Sequence, residues 1–391
     1  MTIDIEKIRS ETPGVDNSIH LLASGSALMP QPVIDAIINH TLLEARMGGY
    51  EAQAEESEKL EATYQSIATL IGAKKHEIAL MENATAAWCH AFYALPSKAG
   101  DRVLTCEAEY AANYVAYLQR VKRDGIVIDV IPSDESGAID TVALEAMIDE
   151  RGALIAITWI PTNGGLVNPA AEVGKIAKRH GITYLLDACQ AVGQMPVNVQ
   201  QLGCDFLSAT GRKFLRGPRG TGFLYVTEAL IEGLEPIVID HFAAPWVAKD
   251  QYQLRGDVRR FENWENSYAL RSGLSASAEY AMAIGLDDIQ KRSWHLANYL
   301  RGQLSDMPGV LIRDLGVEQC AIVSFTIDGK TPSNAVPQLR HKNIIIGASD
   351  PSSTRLDAES RNLPTVMRAA PHYYNTENEM DQLIAALKSL I

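Results

Sequence analysis

Two hydrophobic periods alternate through the middle of the chain. Short apolar, β-branched runs recur at positions 77–80, 102–105, 126–131, 154–159 and 183–186. Between them, at 85–95, 113–123, 141–149 and 170–179, apolar residues fall at helical spacing. Strands alternating with helices, without tandem hairpin signals, predict an α/β fold with a mostly parallel sheet wound by helices. Two further strand-like runs, 206–209 and 222–226, are joined by TGRKFLRGPRGTG. That link has no helix-length segment, so this pair is expected to be antiparallel. Beyond residue 256 the pattern predicts helices over 274–289 and 294–304, short strands at 310–312 and 321–327, and an amphipathic helix over 377–390. The division expected is an N-terminal arm (1–17), a large domain (18–255) and a smaller C-terminal α/β domain (256–391).

Composition narrows the class. Hydrophobic residues make up 47% and charged residues 21% of the 391, which excludes disordered and fibrous proteins. The net charge of −13 argues against a nucleic-acid partner. No apolar run approaches the roughly 18 residues of a membrane span, and MTIDIEKIRSETPG has no signal-like core. No membrane partner and a cytoplasmic location are therefore expected. Five cysteines without CxxC spacing, and nine histidines without HxxxH pairing, indicate neither a disulfide framework nor a metal site. Walker A, GxGxxG and GxSxG strings are absent.

A wound parallel sheet binds ligands at the carboxyl ends of its strands, so the residues just past each strand are the candidates. Ala84 and Thr85 in MENATAAW open a helix, where free N–H groups favour an anion or simply form a cap. Asp187 ends the apolar strand TYLLD, as a sheet-end cap or as an acid kept ionised by a cation. The loop after residue 209 gathers Arg212, Lys213, Arg216 and Arg219 among four glycines in an otherwise acidic chain. It reads as a solvated basic loop or as a phosphate cradle with a Schiff-base lysine. Arg368 stands alone in the apolar run TVMRAAP, a place where arginine needs a carboxylate.

Together these sites resemble the class V aminotransferase group of pyridoxal-phosphate enzymes of fold type I, which includes cysteine desulfurases, isopenicillin N epimerase and C–S lyases. The resemblance covers about residues 18–390 and is most specific in LLDACQAVGQMPVNVQQLGCDFLSATGRKFLRGPRGTGFLYV. It implies pyridoxal 5′-phosphate as cofactor, Lys213 as its Schiff-base lysine and Asp187 as the partner of the pyridine nitrogen. Gln190 and Asn163 match positions near the ring hydroxyl. Tyr110 falls where many relatives stack a histidine. Ala84, Thr85, Thr210 and Arg212 would hold the phosphate, and Arg368 the substrate carboxylate. The resemblance also implies a homodimer with shared active sites.

Two departures bear on the reaction. Desulfurases carry a cysteine on a loop before the carboxylate arginine, whereas GASDPSSTRLDAESRNLP has none. Their Gly-Thr at the dimer interface is replaced within RRFENWEN, where Arg259, Arg260 or Trp264 would line the site. Trp264 and Tyr50 are the substrate-binding candidates, with His20 and Arg271 behind them. The reading that follows is a β-eliminating C–S lyase acting on a cysteine S-conjugate or its sulfoxide. The alternatives are an aminotransferase or an amino-acid epimerase using Tyr110 or His241, and lastly a non-catalytic interaction protein on the same fold.

Overall fold

The computed structural model describes residues 3–390. Its centre is a seven-stranded sheet of β1 (Ile78–Met81), β2 (Arg102–Cys106), β3 (Val127–Ile131), β4 (Gly152–Thr158), β5 (Thr183–Asp187), β6 (Phe206–Thr210) and β7 (Gly222–Val226). The spatial order is β1-β7-β6-β5-β4-β2-β3. The pairs from β3 across to β6 are all parallel. Only β7 runs antiparallel to its neighbours, β6 and β1, as the short link before it requires.

Side chains alternate across each strand and so sort into two apolar layers. Ile155, Ile157, Leu186, Leu207 and Phe223 enter one core. Leu154, Ala156, Leu185, Phe206 and Leu224 enter the other. A sheet buried on both faces needs such near-continuous hydrophobic strands. The second layer is covered by α3 (Ala84–Ala94), through Trp88 and Phe92, and by α4 (Ala111–Asp124), through Ala116 and Tyr117.

Two helices preceding the sheet, α1 (Gln31–Met47) and α2 (Ser57–Ile71), pack against α5 (Tyr268–Ile284). The helical stretch expected over 274–289 is instead interrupted at Gly285, whose φ of 98° ends α5 and starts α6 (Leu286–Ser305). A left-handed backbone there favours glycine, and its N–H closes the last turn on the Ala281 carbonyl at 3.0 Å.

A second sheet, antiparallel throughout, consists of β8 (Val310–Ile312), β9 (Val323–Ile327), β10 (Gly347–Ser349) and β11 (Val366–Ala369), in the order β8-β9-β11-β10. Helix α6 packs against it and against α7 (Glu377–Lys388). The segment 19–27 joins the two sheets. Ile19 and His20 pair with Ile344 and Ile345, Leu21 and Ala23 exchange backbone bonds with Ala370, and the Ala27 N–H donates to the Arg212 carbonyl at 2.9 Å. No helix among the described residues is long and apolar enough to cross a membrane.

Candidate active site

Asp187 is the last residue of β5 and is 4% exposed. Its Oδ1 accepts the Cys189 N–H at 2.9 Å, and its Oδ2 accepts from Asn113 Nδ2 at 3.0 Å. Lys213 lies just past the end of β6 and, among the described residues, makes no side-chain hydrogen bond or ion pair. Burial lowers its pKa; Arg212 and Arg368 push the same way, and Cys189 and Asp187 oppose them. An amine so placed is biased toward its neutral, nucleophilic form.

The loop carrying Lys213 is pinned from two sides. His372 Nε2 donates to the Phe214 carbonyl at 2.7 Å, and burial, aided by Arg216, keeps the imidazole neutral. On the other side Gly193 has φ 92°, and a Cβ there would sit 2.2 Å from the Leu215 nitrogen. Both loops can meet only because that residue is glycine. Arg216, grouped with the basic loop by sequence, turns away into the core. It bonds the Leu28 carbonyl (2.8 Å), the Tyr373 hydroxyl (2.8 Å) and Thr12 Oγ1 (2.6 Å), so it is not available to an anion.

Arg368 leaves β11 and donates to the carbonyl and the hydroxyl of Thr162 at 2.5 and 2.7 Å. Arg212 donates to the Gly25 carbonyl. Among the described residues neither guanidinium has a carboxylate partner, and burial works against both charges. Buried cations without counter-charge mark a place for an anion. Nearby, Arg368 Nε, Gln190 Oε1 and Ser24 Oγ are buried and lack partners among the described residues. Gln190 Nε2 reaches the Ser24 carbonyl (3.1 Å) and the same Thr162 hydroxyl (3.4 Å), which puts these groups in one neighbourhood.

At the amino end of α3 the Asn83 side chain caps the Ala86 N–H at 2.8 Å. The N–H groups of Ala84 and Thr85 have no intrahelical acceptor, and the Thr85 hydroxyl is exposed. Thr210 Oγ1 donates to the Thr221 carbonyl at 3.3 Å. Tyr110 precedes α4 and senses Asp187, Cys189, Arg212 and Arg368; burial, with Asp187 and Cys189 adding, raises its phenol. Asn163 is committed to Asp357, with its amide 2.9 Å from Oδ2.

Tyr50 and Trp264 stand together elsewhere, on the wall of a surface cavity of about 260 Å³ shared with Glu44, Glu265 and Tyr268. Neither Lys213 nor Asp187 lines that cavity. His241 stacks on Trp264 at 5.3 Å. Arg271 pairs with Glu262 at 2.9 Å, and Arg260 caps the carbonyls of Ile231 and Leu234. Sequence reasoning missed Ser24, Asn113, Thr162 and His372. The signals it could have used are EYAAN, following a strand, and the PHY string after Arg368.

The aminotransferase class-V profile matches residues 19–383. The chain belongs to the class-V aminotransferase family. Within it, the chain is 28% identical to a probable cysteine desulfurase of Methanothermobacter thermautotrophicus over 393 residues, spanning 98% of each chain. It is 27% identical to a cysteine desulfurase of Shigella sonnei, covering 100% of this chain and 99% of that one. The cysteine desulfurase of Thermococcus onnurineus NA1 superposes with a TM-score of 0.93 at 26% identity, over 100% of this chain and 98% of its own.

Pyridoxal 5′-phosphate is the cofactor of this class-V family, and the residues present fit it. Asp187 offers a carboxylate oxygen for a protonated ring nitrogen, and Lys213 an unpaired amine. The Ala84 and Thr85 N–H groups, with Arg212, which has no carboxylate partner among the described residues, match a phosphate. Bound there, the group supplies an electron sink for bonds broken at the substrate α-carbon.

Proposed function

We propose that the protein is a β-eliminating C–S lyase acting on a cysteine S-conjugate or its sulfoxide. The observation that carries this reading is the state of the cysteine nearest upstream in sequence of the segment where desulfurases keep theirs. Cys320 is 0% exposed, and burial pushes it up to about 12. The segment 347–364 ahead of Arg368 holds no cysteine at all. Cys189, beside Asp187, is pushed well up by burial and by that carboxylate, so it stays a thiol at neutral pH. With no thiolate to receive a sulfur atom, the sulfur leaves with the substrate's own S-substituent.

In this reading Arg368 and the Thr162 hydroxyl hold the substrate α-carboxylate. That grip aims the Cα–H bond at Lys213, whose depressed pKa makes it a competent base. Lys213 takes the α-proton, the Cβ–S bond breaks, and the sulfur departs with the bonding electrons; once protonated it is a thiol from an S-conjugate and a sulfenic acid from a sulfoxide. The 2-aminoacrylate released reacts with water to give pyruvate and ammonia. Asp187 and Gln190 orient the ring, and Tyr110 supplies an aromatic face.

A homodimer with shared active sites belongs to the same proposal. Ile38, Leu42 and Met47 are exposed on α1, and Tyr50 is 73% exposed just beyond it. A second copy would cover these apolar side chains and bring Tyr50 and Trp264 to its own substrate pocket.

The test supplies cofactor-loaded protein with a panel of cysteine S-conjugates and sulfoxides, without keto-acid, and measures pyruvate. Many turnovers of pyruvate, abolished in Lys213→Ala, are expected. Conversion of the cofactor to its amine form without pyruvate would replace the lyase by a transaminase.

A further inference from the structure

Behind Asp187 lies a second buried carboxyl that the reaction described above does not use. Glu109, between β2 and α4, is 3% exposed and pairs with no lysine or arginine among the described residues. Five donors surround it. The Tyr110 N–H (2.8 Å), the Thr158 hydroxyl (2.5 Å) and Asn113 Nδ2 (2.9 Å) meet Oε1. The hydroxyls of Thr105 (2.8 Å) and Tyr117 (3.2 Å) meet Oε2. Burial pushes its pKa up, while the Thr158, Asn113 and Thr105 bonds pull it down.

Asn113 is the shared member. Its single amide nitrogen lies 2.9 Å from Glu109 Oε1 and 3.0 Å from Asp187 Oδ2, one N–H for each. Turning the amide over would set its oxygen against two carboxyl oxygens, so the two acids together dictate its orientation. Asp187 is in turn held at both oxygens, by Asn113 on Oδ2 and by the Cys189 N–H on Oδ1. Its remaining lone pairs are left for a ligand. A carboxyl fixed in this way forms a directed hydrogen bond with little loss of rotational freedom.

We propose that Glu109 is a positioning residue: acting through Asn113, it fixes the Asp187 carboxylate so that the ring nitrogen of the bound cofactor stays protonated. This rests on the cofactor reading above and extends it by one layer of side chains. The position of the amide, rather than the charge on Glu109, carries the effect. A glutamine at 109 can still present a carbonyl oxygen to Asn113 and Tyr110, with its NH₂ facing the Thr105 and Tyr117 hydroxyls, which can accept.

The experiment reconstitutes each variant with pyridoxal phosphate labelled with nitrogen-15 in the ring. It reads the ring-nitrogen signal, the dissociation constant of the cofactor and the melting temperature without cofactor. Asn113→Ala and Glu109→Ala are expected to move the signal toward that of an unprotonated pyridine. They should also weaken cofactor binding by about tenfold, the loss of one hydrogen bond to a charged acceptor. Glu109→Gln is expected to restore both. A pyridinium signal and affinity unchanged in Asn113→Ala would overturn the proposal. So would a loss in Glu109→Gln as large as in Glu109→Ala. Alanine at 113 suits a helix, so this variant carries the test even if Glu109→Ala fails to fold. Wild-type protein that never forms the coloured lysine-bound species would instead remove the underlying cofactor reading.

Discussion

Arg368 is buried and Arg212 half-buried, each without a carboxylate partner among the described residues, yet they lend themselves to different measurements. Arg368 donates two bonds to Thr162 and keeps an unpartnered Nε. Arg368→Lys replaces a planar fork by a point charge. The expected outcome is a KM for the amino-acid substrate raised by about ten- to a hundredfold, measured in the pyruvate assay, as expected for hydrogen bonds to a charged group. Arg212 acts at a distance, as one of the cations that depress Lys213 below its ordinary 10.5. In cofactor-free protein the reaction of Lys213 with an aldehyde reagent should therefore rise with pH through a midpoint below 10.5. Arg212→Gln removes a positive neighbour, stabilises the ammonium and moves that midpoint upward; a midpoint that stays put would show that burial alone sets it. The positions of Asp187 and Lys213 at strand ends were legible in the sequence because Asp187 closes one apolar strand and Lys213 follows another. Asn113, Thr162 and His372 were not, because Asp187, Arg368 and the Phe214 carbonyl that they meet lie far along the chain and only the closed fold brings them together.

The elements around Lys213 are fitted to one another rather than merely adjacent. Gly193→Ala would force a left-handed backbone and a contact of 2.2 Å on the Leu215 nitrogen. It should destabilise the fold by more than about 1 kcal/mol, read from denaturant melts. Because the loop that moves carries Lys213, retention of the cofactor should weaken as well. At the small sheet, α7 begins with Glu377, held at about 2 by its hydrogen bonds to Arg292. A carboxyl lowered from its ordinary 4.5 contributes stability above that value and loses it as pH falls toward 2. Arg292→Ala should accordingly lower the melting temperature at pH 7, and the difference from wild type should shrink on acidification. What persists at low pH is the Arg292 bond to the Asn375 carbonyl, which does not titrate. Strand positions in the large sheet were readable to within a residue or two, since the inner strands are buried on both faces and their runs are nearly continuously apolar. The break at Gly285 was not: the flanking residues keep helical spacing on both sides, and only the backbone angle separates α5 from α6.

Seen whole, the molecule exposes apolar side chains along the second half of α1. Leu42→Glu places a charge among Ile38, Met47 and Tyr50. It should convert a sedimenting dimer to a monomer while leaving the circular dichroism of the fold unchanged; a wild-type protein already monomeric would remove the shared-site proposal. The mostly parallel architecture followed from the order of periods alone, but the route of residues 19–27 did not, since the run is too short to carry a pattern. That route has a consequence for biosynthesis. Ile19 and His20 find their strand partners at Ile344 and Ile345, and Leu21 and Ala23 find theirs at Ala370. During translation this apolar stretch leaves the ribosome well before its partners and must wait until residues 344–370 have followed. The large sheet can assemble in the meantime, but the loop that ends on Lys213 has its Arg212 carbonyl unsatisfied until Ala27 arrives. Competence to take up cofactor therefore waits on residues 344–370, and a nascent protein truncated before residue 344 should be folded in part yet colourless.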